Sequence, residues 1–118
     1  MILAQVKAIY TNEMDDLEKH VPDDPERFCV FVVAMVGPRT GEGEESFEIA
    51  VCSPKWLEQR IESDGFAIGM HHLFVADYNP AQIRKILTKL IERYSGDSWE
   101  EVARKVGKIG RWEFDGPE

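Results

Sequence analysis

Nine residues from Phe28 to Val36 form the longest apolar run in the chain, and they limit what it can become. A membrane helix needs about 18 or more such residues, so this run is too short to span a bilayer. Its β-branched and aromatic content is that of a strand, and Gly37-Pro38 stops it. A second β-rich run, Ser46 to Cys52, follows the polar, glycine-spaced connection 37–45. A hairpin centred near Thr40–Gly41 sets Cys29 opposite Cys52, Val32 opposite Ile49 and Ala34 opposite Phe47. Side chains alternate along a strand, so one face then carries Phe28, Val30, Val32, Phe47, Ile49 and Val51. Such a face needs a cover.

Three capped helices can supply it. Ser53-Pro54 combines a hydroxyl N-cap with proline at the first helical position, opening a helix through Trp56, Leu57 and Ile61. Asn79-Pro80 repeats the device. Behind it Ile83, Ile86, Leu87, Leu90, Ile91 and Tyr94 make one stripe at helical spacing. Ser98 and Glu101 form a capping box ahead of Trp99, Val102, Ala103 and Val106. Residues 2–10 alternate loosely and suit a first strand, His71 to Tyr78 reads as a fourth, and Arg111 to Phe114 is a short extended tail. The expected architecture is a single α+β domain over residues 1–118. Its sheet is expected to be mainly antiparallel, with about four strands and two to three helices packed on one face. At 118 residues such a domain can bury a core without help from metal or disulfide.

The charge is unevenly distributed. Residues 1–66 hold 14 acids and 6 bases, whereas residues 67–118 hold 8 of each, so the net −8 lies entirely in the first half. That field repels phosphate polyanions and disfavours nucleic acid, while it steers a basic protein partner inward. The candidate partner-binding residues are the loop acids Asp23, Asp24 and Glu26 and the hairpin-turn acids Glu42, Glu44 and Glu45, because loops on a rigid scaffold concentrate contacts. The N-terminus lacks the pattern of a secretory signal, so a cytoplasmic location is expected.

Chemistry is sparse. No nucleophile elbow, phosphate loop or dinucleotide fingerprint occurs, and Ser53 is explained by its cap. His71 and His72 point to opposite faces of a strand and cannot readily share an ion, and His20 lies in an unrelated loop. No catalytic residue, metal ligand or cofactor site is therefore nominated. Both cysteines are expected to be reduced and buried, without the basic, exposed setting of a reactive thiolate. Trp56 and Trp99 sit on apolar stripes and are expected in the core. Trp112 is expected to seal the domain against a strand.

The hairpin with its acidic turn, Gly37-Pro38 through Gly41-Glu42-Gly43-Glu44-Glu45-Ser46-Phe47, leads into Val51-Cys52-Ser53-Pro54-Lys55-Trp56-Leu57. Together with Ser98-Trp99-Glu100-Glu101-Val102-Ala103, Val106-Gly107 and Trp112-Glu113-Phe114, this resembles the immunity protein 8 family. The resemblance runs over nearly the whole chain and includes His71-His72-Leu73. It implies a non-catalytic protein of a bacterial polymorphic toxin system, which binds a cognate toxin domain and blocks it without a cofactor. The acidity found independently suits a toxin with a basic surface. The alternative is a small structural or regulatory interaction module, with a homodimer among its forms.

Overall fold

The computed structural model describes residues 1–115. Its elements are β1 (Ile2–Thr11), a single 3-10 turn (Leu17–Lys19), β2 (Cys29–Pro38), β3 (Glu45–Cys52), α1 (Pro54–Asp64), β4 (His72–Phe74), α2 (Pro80–Glu92), β5 (Ser95–Gly96), α3 (Trp99–Val106) and β6 (Arg111–Trp112). The sheet order is β4-β3-β2-β1-β5, with β6 also paired to β3.

The β2–β3 hairpin has the register that its residue pattern predicts, with Cys29 against Cys52, Val32 against Ile49 and Ala34 against Phe47. Its inward face, Val30, Val32, Ala34, Val36, Phe47, Ile49 and Val51, is buried against Ile83, Leu87 and Ile91 of α2 and Val102, Ala103 and Val106 of α3. All three helix caps form. Backbone N–H groups of Trp56, Gln82 and Glu101 donate to the side chains of Ser53, Asn79 and Ser98 respectively. Gly65 ends α1 at φ 86°, a left-handed conformation that side chains with a Cβ resist.

The sheet departs from expectation in size and in direction. It has six strands rather than about four, and it is mixed. β4 runs parallel to β3, pairing Ala50 with His72 and Cys52 with Phe74. The reason is α1, which lies between them in sequence. A hairpin cannot form across an intervening helix, and the crossover returns the chain in the same direction. β4 is also shorter than the 71–78 segment expected, and β5 and β6 are two-residue edge pieces.

The loose alternation of residues 2–10 also has a cause. Val6 pairs with Val36 and Ala8 with Met35, so Lys7 is an extra residue, a β-bulge. The bulge switches the inward positions from Ile2, Ala4 and Val6 to Ile9 and Thr11. Leu17, set among Asp15, Asp16 and Glu18, is fully buried, and its carbonyl accepts the Tyr78 hydroxyl at 2.8 Å.

Two exposed carboxylates report on folding. The Arg84 guanidinium donates to Glu18 at 2.7 Å and holds that carboxyl below its ordinary range. The Asp97 backbone N–H, aided by Lys105, does the same for Glu101. Both groups therefore bind protons less readily when folded. Their contribution is present above the unfolded glutamate value of about 4.3 and is lost as pH falls through the lower folded values. Melting temperature should fall modestly as pH drops below about 4.5, and the Arg84→Met, Glu101→Gln double variant should flatten that part of the profile.

Candidate functional site

The outward face of the β2–β3 hairpin presents Cys29, Phe31, Glu48 and Ala50, and α2 and α3 leave it uncovered. α1 borders this face rather than the core, and none of its residues is buried. This overturns the expectation for Trp56. Its ring lies beside the groove, 5.9 Å from the His72 ring, with the Arg60 guanidinium 5.9 Å from its centroid. The local cap and stripe of α1 are as expected, but where a short helix docks depends on the crossover it belongs to. Trp99 does pack against the core.

Sheet, α1 and the 66–72 connection enclose an open groove of about 420 Å³. Its apolar surface is unusual in its exposure: Phe31 is 45% exposed, Phe66 65%, Ile68 70% and Met70 69%. All four line the groove, so much of its wall is exposed apolar side chain, the kind of surface that marks an interaction site when it is contiguous. Four charges line the groove. Arg60 and Arg111 are basic and Glu48 and Asp64 acidic, and Arg60 pairs with Asp64 at 2.6 Å. In a chain of net charge −8, this face is neutral.

The histidines are held by protein groups. His71, at φ 62°, donates from Nε2 to the Gly107 carbonyl at 2.8 Å, while the His72 ring stacks on Phe74. Among the described residues no cluster of three or more His, Cys, Asp or Glu could hold a metal ion. No described helix is long and apolar enough to cross a membrane.

The six acids nominated from sequence fall into two groups at opposite ends of the hairpin. β2 is ten residues long and separates them by about 30 Å. Asp23, Asp24 and Glu26 are exposed at the end nearer the groove. There the Glu26 backbone N–H donates to Asp24 Oδ1 at 2.9 Å, and the Glu26 carboxylate meets Lys55 at 3.3 Å. At the other end Glu42 and Glu44 are exposed, but Glu45 is half-buried. Its Oε1 accepts from the Trp99 indole at 2.7 Å and from the Trp112 indole at 2.9 Å. Glu45 thus joins β3, α3 and β6 at one atom. Trp112 seals the domain as expected, pairing with Phe47 in the sheet and stacking on its ring at 6.4 Å. The groove was not nominated from sequence. Phe66, Ile68 and Met70 alternate with Ala67 and Gly69 after a glycine-capped helix, a pattern without a buried partner, and that was the available signal.

A small α+β domain with one open, neutral, apolar face and acidic loops has the surface of a protein-interaction module. The sequence model of the immunity protein 8 family matches residues 4–116, and the chain belongs to that family. No curated protein and no solved structure matches it.

Proposed function

We propose that the chain is a non-catalytic toxin-neutralising protein that binds a cognate polymorphic toxin domain in the bacterial cytoplasm and blocks it. The observation that carries this reading is the family match across residues 4–116. The groove supports it by its character: Phe31, Phe66, Ile68 and Met70 line it and expose apolar side chains of the kind that form the centre of a protein–protein contact. The toxin domain docks on this face, with Asp23, Asp24 and Glu26 at its near end. Glu42 and Glu44, at the far end of the hairpin, steer a basic toxin during approach. Glu45 sits with them but is engaged by the two indoles, so its contact role is secondary.

The test is co-expression with the variable C-terminal domain of a large toxin encoded beside this gene. Growth should be rescued and the two chains should purify together. Phe66→Asp with Met70→Asp should weaken binding by about 30-fold or more, as loss of central anchors does. Glu42→Gln with Glu44→Gln should slow association and flatten its salt dependence while leaving dissociation nearly unchanged. Cell death without a recoverable complex would remove the toxin-neutralising reading. The second reading, a module that pairs with its own copy, draws on the same groove. It requires a concentration-dependent dimer in sedimentation that Phe66→Asp dissociates.

A further inference from the structure

Cys29 and Cys52 face each other across the β2–β3 hairpin, and their sulfurs lie 3.0 Å apart, with the Cys52 thiol donating to Cys29. At the next position the Ser53 N–H donates to the Phe28 carbonyl at 3.0 Å, so the cysteines occupy a non-hydrogen-bonded pair. There Cα atoms stand about 4.5 Å apart, within the range of about 4.4–6.8 Å that a disulfide spans. The sulfurs can therefore join with little backbone movement.

Their surroundings differ. Cys52 is fully buried, whereas Cys29 is only partly buried on the floor of the groove, contrary to the expectation that both are buried. The hydrogen bond from Cys52 lowers the Cys29 thiol from its ordinary value, and the charge of Arg60 adds to this. The same bond, with burial, pushes Cys52 up. Arg60 is 31 positions away in sequence, which is why no basic neighbour was visible there. An accessible, cation-assisted thiol backed by a buried second thiol has the chemistry of an attacking and a resolving cysteine.

We propose that Cys29 and Cys52 form a redox modification site that reacts with small hydroperoxides, Cys29 attacking and Cys52 resolving. The Cys29 thiolate attacks the terminal peroxide oxygen. An S–O bond forms, the O–O bond breaks, and the departing alkoxide, or hydroxide when the oxidant is hydrogen peroxide, takes a proton to leave as the alcohol or as water. Cys52 then gives up its proton and attacks the Cys29 sulfenic acid, so that the S–S bond forms, the S–O bond breaks and water leaves. Two electrons pass from the sulfurs to the peroxide, and a dithiol such as dithiothreitol restores the starting state. In a reducing compartment such a disulfide is transient, as redox-sensing pairs are. The site does not depend on the toxin reading.

The reduced full-length chain is treated with hydrogen peroxide. Its intact mass should fall by two hydrogen atoms, peptide mapping should join Cys29 to Cys52 within one chain, and dithiothreitol should reverse the change. Before oxidation, iodoacetamide should label Cys29 at least about ten-fold faster than Cys52 in the folded protein. Cys52→Ala should stop the reaction at a Cys29 sulfenic acid that dimedone traps, and Arg60→Gln should slow its formation while Arg60→Lys restores it. Should Cys52→Ala not fold, Cys29→Ser reads the same assignment from the other side, because Cys52 alone should resist peroxide. Absence of the two-hydrogen loss, a disulfide formed only between chains, or equal labelling of the two thiols would each overturn the proposal.

Discussion

Leu87→Ala should destabilise the domain by about 2–5 kcal/mol, the range for deleting a fully buried leucine from a core that cannot collapse around the gap. Leu87 is fully buried in the middle of α2, flanked on its stripe by Ile83 and Ile91, which are equally enclosed, and faces the inward side of the sheet. α2 packs chiefly on β1, and Ile9 and Ala4 of that strand belong to the same core, so the loss should reach the sheet as well as the helix. Urea unfolding should show a lower midpoint at nearly unchanged slope, since the same surface is exposed when the chain unfolds. A change of less than about 1 kcal/mol would mean that the stripe does not carry the helix–sheet contact.

Glu45→Ala should cost about 2–4 kcal/mol, far more than removal of an ordinary loop carboxylate. Hydrogen bonds to a charged group are worth about 1.5–3 kcal/mol each, and half-buried donors left without a partner add a penalty. Two indoles depend on this one oxygen. Glu45→Gln keeps an acceptor and should lose less than half as much, whereas alanine at Glu42 or Glu44, both exposed, should leave the melting temperature nearly unchanged. The expected signature besides lower stability is a change in tryptophan fluorescence, because both Trp99 and Trp112 lose their partner. Equal effects of alanine at Glu44 and Glu45 would refute the clamp. The result also bears on binding experiments: Glu45 must be kept when the acidic turn is neutralised, or a loss of stability will pass for a loss of contact.

Legibility in the sequence followed interaction range. Ser53, Asn79 and Ser98 could be read as caps because each accepts from a backbone group three residues on. The Cys29–Cys52 register followed from placing the turn near Thr40–Gly41; the unbroken apolar run 28–36 does not by itself choose a face, and Glu48 between Phe47 and Ile49 supplies what alternation there is. Lys7 was less readable: a bulge is a one-residue irregularity, and the loosened alternation of 2–10 was its only trace. Leu17 was missed since a single apolar residue among carboxylates gives no period. Of the candidate site, the acids were visible as residues, but their separation into two ends and the capture of Glu45 were not.

The sequence by itself therefore determined the helices, the hairpin and the stripe that covers one face of the sheet. It did so because these features rest on periodicity and on contacts a few residues long, or on strands joined by a short turn. Only the tertiary structure decided the parallel placement of β4, the position of Trp56 beside an open groove, the Trp99–Glu45–Trp112 clamp and the approach of Arg60 to Cys29. Each of these depends on where the crossover through α1 and the last strand come to rest. That is a balance of packing among elements distant in sequence, and no local pattern records its outcome.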